Sequence, residues 1–215
     1  DFDFNFLTVA QWGPRKNIEN TIKWFVEENI DEEVGLVIKA NSQANCKIDK
    51  EFTLEERLKP LLENYPERKC KIYFLHGDMS VEEITSLYRH PKIKCMISLT
   101  HGEGYGLPLF EAAYNGLPII APGWSGQCDF GDVAFDMRPV QKEALWPGVI
   151  EEGSMWCYPQ PGSYKMELRK VRKKYDKALQ TAKTLQSYIL ENFTEDKIYD
   201  KFAENVIGDA KLEAT

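Results

Sequence analysis

The chain is poor in the residues that build metal and disulfide sites: it has three histidines and five cysteines in 215 residues. Cys46, Cys70, Cys95, Cys128 and Cys157 are scattered with no CxxC pair, and His76, His90 and His101 are just as dispersed, so no zinc-type ligand spacing appears. Free, buried thiols in a reducing, cytoplasmic setting are the expectation. Long hydrophobic runs are missing too. Nothing approaches the ~20 apolar residues of a membrane span, and no signal peptide is visible. Positive charge is in deficit, with 27 Lys and Arg against 34 Asp and Glu and a net charge of -7. That balance argues against nucleic acid as the main partner and offers no general attraction to anionic membrane. Repeats and low-complexity tracts are absent. The chain opens on aspartate and enters a strand almost at once, so it reads as a trimmed piece or fragment, with any native targeting signals out of view.

What is present is a hydrophobic fraction of 43%, enough to bury a full core in one large α/β domain over residues 1–215. Strand and helix signals alternate. Residues 5–10 (NFLTVA) read as a buried strand, followed by an amphipathic helix over 18–28 with Ile18, Ile22, Phe25 and Val26 on one face. A strand over 34–40 leads to a polar stretch and a helix from Thr53, with Glu56 completing a capping box. A strand over 71–76 and a Gly77-Asp78 turn precede a helix opened by Ser80 and Glu83, a second capping box. Strands over 94–99, 118–121 and 133–136 follow. Such alternation predicts a doubly wound parallel sheet with helices on both faces, whose ligands bind at the carboxyl ends of the strands. The loops 11–16, 76–79 and 100–107 are expected to meet there. The tract 146–162 reads as irregular, with its aromatics packed on the domain. Long helices are expected over 163–191 and, capped by Thr194, up to Gly208. Arg169, Lys170, Arg172, Lys173 and Lys174 read as a solvated helix face, with peripheral membrane or lipid-carrier contact as the alternative.

The most informative segment is Thr100-His101-Gly102-Glu103-Gly104-Tyr105-Gly106-Leu107-Pro108-Leu109-Phe110-Glu111, which joins the fourth strand to a helix through three glycines. Pro108 suits a first helical turn, and Gly116 and Pro118 end the helix. Amides at a glycine-opened helix start attract anions, phosphate above all. Glu111 lies about one turn in, and helical side chains lean toward the amino end, so its carboxylate can accept from neutral hydroxyls beside a phosphate, a ribose being the obvious source. Glu103, on the loop, faces another part of such a ligand. His101 reads as a turn-stabilising or exposed residue, with a donor contact as the alternative. Near the amino end, Arg15 and Lys16 occupy another strand-to-helix loop. Two adjacent cations there can neutralise a diphosphate leaving group, work a metal does elsewhere.

Residues 98–122 resemble the signature of the retaining nucleotide-sugar glycosyltransferases of the GT-B fold, in particular glycosyltransferase group 1 (GT4). The likeness rests on Glu103-Gly104-Tyr105-Gly106-Leu107-Pro108, on a second glutamate eight positions after the first, and on Glu111-Ala112-Ala113 followed by Asn115-Gly116-Leu117-Pro118-Ile119-Ile120-Ala121. It covers residues 4–121 strongly and the remainder loosely. The resemblance implies a Rossmann-like domain, the carboxyl-terminal half of a GT-B fold, with its core over 4–162, helices over 163–215, and the acceptor-binding amino-terminal half outside this chain. It implies that Lys16, with Arg15 and the amides of Gly104, Tyr105, Gly106 and Leu107, holds the diphosphate of a nucleotide-sugar donor. Glu111 takes the ribose, Glu103 the transferred sugar near its reacting carbon, and Gly77 and Asp78 border the base. No cofactor and no metal are implied, and the acceptor is not legible. One departure stands out: the family usually carries arginine just after the first strand, where this chain has Gln11. Arg15 is the candidate replacement, and Asp129 the candidate for a glutamate that relatives carry near the acceptor side. A degenerate nucleotide-binding or interaction module, or another GT-B enzyme such as a sugar epimerase, is the alternative reading.

Overall fold

The computed structural model describes residues 2–207. Five parallel strands form one sheet in the order β3-β2-β1-β4-β5: β1 Asn5–Val9, β2 Gly35–Lys39, β3 Lys71–Leu75, β4 Ile93–Ile97 and β5 Ile119–Ile120. Strand β1 is central and its side chains alternate between two apolar layers, as the period of two requires. Phe6 faces the first layer with Phe25, Leu36, Ile38 and Ile97, while Leu7 faces the second with Tyr88, Met96, Leu109 and Ala112. Helix α1 (Ile18–Asn29) covers the first layer with Ile18, Ile22, Phe25 and Val26, the face its spacing predicted. The Phe6 and Phe25 rings meet edge to face at 5.6 Å. Helices α4 (Val81–Tyr88) and α5 (Leu107–Tyr114) cover the second layer.

Three expectations are corrected. The second helix starts at Lys47, six residues before Thr53, as α2 (Lys47–Phe52); it runs through a π-helical turn, Thr53–Leu58, into α3 (Lys59–Glu63). The side chain of Cys46 caps it, and Asp49 in its first turn accepts the amides of Ser42 and Gln43, each at 2.9 Å. Thr53 is wholly buried and uses its hydroxyl on the Asp49 carbonyl at 2.7 Å, so it cannot cap, and Glu56 forms no capping box. The Ser80 and Glu83 box is present in both halves.

The tract read as irregular contains β7 (Met155–Pro159), paired antiparallel with β6 (Phe135–Pro139) in a separate ribbon with Met137 opposite Cys157. The sequence MWCYP is apolar at every position, so no alternation marked it as a strand. The long helix expected over 163–191 is two helices, α6 (Pro161–Lys173) and α7 (Tyr175–Asn192), broken at Lys174, whose φ of -131° and ψ of 45° leave the helical region. The break lets α7 turn onto α5 while the Tyr175 ring packs edge-on against Phe4 at 5.5 Å. Tyr164, Leu168 and Val171 of α6 lie within the main core beside α1. The last described helix is α8 (Glu195–Ile207), and the part of the expected helical region beyond 207 lies outside the described residues.

Three residues of the basic cluster, Arg169, Lys170 and Arg172, pair with acidic neighbours. Arg169 reaches Glu28 of α1 at 2.9 Å and Arg172 reaches Glu32 just beyond it at 2.7 Å, which ties α6 to that region, while Lys170 pairs with Glu167 on its own helix at 3.0 Å. Among the described residues no helix is long and apolar enough to cross a membrane. Cys70, Cys95 and Cys157 are buried free thiols, while Cys46 and Cys128 are exposed in loops.

Candidate functional site

Strands β1 and β4 are neighbours from different crossovers, and their carboxyl ends form the switch point of the sheet. The two loops leaving it are sewn together. The Thr100 hydroxyl donates to the Arg15 carbonyl at 3.0 Å, the His101 amide donates to the same oxygen at 2.8 Å, and the Asn17 amide nitrogen donates to the Leu99 carbonyl at 3.1 Å. Asn17 takes the left-handed conformation (φ 55°) to end the 3-10 turn Pro14–Lys16 and start α1. This clasp brings the cations of one loop onto the carboxylate of the other. The Lys16 ammonium is bonded to Glu103 Oε1, and Arg15 Nη1 lies 3.3 Å from Glu103 Oε2 and also donates to the Gly102 carbonyl. Lys16 and Glu103 are mostly buried, at 16% and 13% side-chain exposure, so water screens their pairing less than at an open surface. Gln11 is turned away, its amide donating to the Ser42 carbonyl at 3.1 Å.

Gly106 opens α5 with φ 80°, a left-handed conformation that glycine takes without the steric cost a Cβ brings. A third loop supports the glycine turn from behind. The Gly126 amide and the Ser125 hydroxyl both donate to the Glu103 carbonyl, at 2.9 and 2.7 Å, and a Cβ on Gly126 meets the Gly104 carbonyl at 2.6 Å. In this loop it is Ser125 and Gly126 that touch the site, while Asp129 is exposed. Among the described residues the amides of Gly104, Tyr105 and Gly106 have no hydrogen-bond acceptor. They stand at the positive end of α5, where an anion is stabilised by the unpaired donors and the helix dipole.

Glu111 sits one turn further along, on the side facing α4. The Tyr88 hydroxyl donates to its Oε2 at 3.0 Å, and both residues line a groove of about 190 Å³ between the two helices. Gly77 and Asp78 share this end of the sheet but lie in the loop that follows edge strand β3. Their contacts run to Asn45, whose side-chain amide donates to Asp78 at 3.0 Å, and β3 is three strand spacings from β4, roughly 15 Å. Of the three loops expected to meet, 11–16 and 100–107 are the two joined by direct hydrogen bonds, while the loop 76–79 leaves the edge strand and leads into α4.

His101 is neither exposed nor a simple turn residue. It is 6% exposed, stacked on Trp156 at 5.0 Å and 12° and tilted against Tyr158 at 4.6 Å, with Nδ1 2.6 Å from the Cys157 carbonyl. Strand β7 thus anchors the glycine loop from its far side. Burial pulls the imidazole pKa below its ordinary value of 6.5, against a smaller upward pull from the Cys157 carbonyl. The unfolded chain therefore binds this proton more readily than the folded one, and stability is lost as pH falls through 6.5. Urea midpoints at pH 7.5 and 5.5 are expected to fall with pH, and His101→Gln to remove most of that difference.

The sequence reading gave four contributors no role at the site. Tyr88 carries no motif and closes a helix; Trp156 and Tyr158 lay in a tract with no legible period; Asn17 alone left a signal, as the asparagine where a loop with left-handed geometry meets a helix.

A parallel sheet covered by helices on both faces is the Rossmann-like architecture of the carboxyl-terminal half of a GT-B glycosyltransferase. Solved structures show the same fold. The C-terminal domain of a glycosyl transferase group 1 family protein (LpcC) from Francisella tularensis matches with a TM-score of 0.56 at 16% identity, over 89% of this chain and 87% of that one. A glycosyltransferase from Rickettsia africae matches with a TM-score of 0.65 at 13% identity, over 96% of this chain and 48% of that one. The chain belongs to the family described as Glycosyl transferases group 1, whose sequence profile matches residues 3–130. It is also 29% identical over 119 residues to the serotype-specific mannosyltransferase WbdA of Escherichia coli, a match covering 54% of this chain and 13% of that protein. The chain thus spans a small part of the length of this curated relative.

Proposed function

We propose that this chain is the donor-binding half of a GT4-type glycosyltransferase that transfers a sugar from a nucleoside diphosphate sugar with retention of configuration. The observation that carries the reading is the cluster of Lys16, Arg15 and Glu103 beside three amides without acceptors at the amino end of α5. An anion lodged there meets the amides of Gly104, Tyr105 and Gly106, with Leu107 at the first helical position, and the positive charge of Lys16 and Arg15. Those two cations stabilise the diphosphate as it leaves, so no metal or other cofactor is needed for that task. Glu103 orients the sugar hydroxyls near the reacting carbon. Glu111 accepts from the ribose, and the tract from Gly77 and Asp78 into α4 borders the base. Arg15 takes the place of the arginine that Gln11 replaces. The acceptor is bound by a second half of the enzyme, so this chain alone binds donor and transfers little.

Calorimetric titration with UDP, GDP, ADP and their sugars tests this reading. Saturable binding of at least one supports it, and a folded chain that binds none refutes it in favour of an interaction module. Glu111→Gln is expected to weaken binding of the accepted nucleotide about tenfold, the scale of one hydrogen bond to a charged group. An unchanged affinity removes the ribose from Glu111.

A further inference from the structure

Tyr88 has no task in the reading above, yet it is built into the α4–α5 groove. It closes α4 and is 2% exposed, and its hydroxyl donates to Glu111 Oε2 at 3.0 Å. Burial, followed by the Glu111 charge, pushes the phenol pKa upward, so the hydroxyl stays a donor throughout the working pH range. A carboxylate offers about four lone-pair positions on two oxygens. Tyr88 takes one, and among the described residues Oε1 has no hydrogen-bond partner. Apolar side chains, Val81, Ile84 and Phe110, make up much of the remaining wall of the groove.

A free glutamate side chain loses rotamer freedom worth on the order of 1.5–2 kcal/mol when it is ordered. A partner that holds one oxygen before the ligand arrives removes part of that cost from the binding step. The oxygen left over is an acceptor only, so it discriminates by hydroxyl donors. A ribose presents two of them side by side.

We propose that Tyr88 is a positioning residue for nucleoside recognition: its hydroxyl holds the Glu111 carboxylate so that the free oxygen accepts from a vicinal diol, and the groove thereby selects ribonucleotides over their deoxy counterparts. The inference rests on the donor-site reading given above. Replacing the hydroxyl by hydrogen in Tyr88→Phe keeps the ring in the second apolar layer and deletes the contact to Glu111.

The test is a set of calorimetric titrations on the wild-type chain, Tyr88→Phe, Glu111→Ala and the double variant. The probes are UDP, GDP and ADP, each beside its 2′,3′-dideoxy form. Tyr88→Phe is expected to weaken the accepted ribonucleotide about 5- to 10-fold and to leave the dideoxy form unchanged, a split that general damage to the core does not produce. In the Glu111→Ala background the same change is expected to have no further effect. Equal loss for both nucleotide forms, or no loss for either, overturns the proposal. So does a wild-type chain that binds ribo and dideoxy forms equally well, a result that does not depend on how well any variant folds. If no ribonucleotide binds the folded wild-type chain, the donor-site reading itself fails and this inference with it.

Discussion

Lys16→Ala is expected to weaken binding of the accepted nucleoside diphosphate by roughly 10- to 100-fold, and Glu103→Gln to strengthen it several-fold. The opposite signs follow from the pairing of these two residues. Lys16 is mostly buried and bonded to Glu103, so on the proposed donor reading its removal deletes a charge-assisted contact to the diphosphate and leaves the glutamate's negative charge beside the anion. Removal of the Glu103 charge does the reverse, freeing the ammonium and lowering the repulsion an incoming diphosphate meets. Arg15 limits the loss in Lys16→Ala, because its Nη1 already lies 3.3 Å from the same carboxylate. It is also 43% exposed, so solvent screens it and it replaces the lysine only in part. Calorimetry at one fixed ionic strength reads both variants. Glu103→Gln is expected to lose the extra affinity that a nucleotide sugar has over its parent diphosphate, since that increment belongs to the sugar hydroxyls. Weaker diphosphate binding in both variants sinks the assignment of the two charges to different parts of the ligand.

The largest effect on stability is expected at Trp12, four residues before Lys16 in the same loop. It is 1% exposed, its ring meets Phe74 edge-on at 6.1 Å, and its indole nitrogen donates to Glu19 at 2.5 Å. Truncation to alanine at a site of this burial costs about 3–5 kcal/mol. A domain of this size is stable by about 5–15 kcal/mol, so Trp12→Ala is expected to lower Tm by on the order of 10 °C. Trp12→Phe retains most of the buried ring and deletes the indole donor, at a cost of about 1 kcal/mol. Differential scanning calorimetry of the two variants separates packing from hydrogen bonding; equal losses show that the indole donor, not the ring, dominates. Because Trp12 holds the loop onto the core, Trp12→Ala is also expected to weaken nucleotide binding at temperatures well below its Tm.

The parts legible in the sequence were those set by local chemistry. The apolar run of β1, the 3.6-residue spacing of α1, the Ser80 capping box and the glycines before Leu107 each act within a few residues, so their spacing alone announced strand, helix, cap and turn. Two glutamates eight positions apart around that turn marked the candidate site. Other features came only with the fold, because they depend on residues far apart in sequence. The start of α2 was settled by Asp49, whose carboxylate is held by Ser42, Gln43 and His76, the last at 2.8 Å. The break at Lys174 came from the need of α7 to reach α5, and β7 exists because β6 offers it a partner. Burial of His101 required Trp156 and Tyr158 to arrive more than fifty positions later.

By itself, then, the sequence marked the side chains of the proposed donor site: the cations of one loop, the carboxylates flanking the other, and the glycines that leave amides uncovered. Only the tertiary structure decided which of them meet. It paired Lys16 with Glu103, gave Glu111 to Tyr88, and left Gly77 and Asp78 out at the edge strand. The physical reason is that strand order, not spacing along the chain, sets which loop ends are neighbours, and strand order is the outcome of burying both faces of the sheet at once.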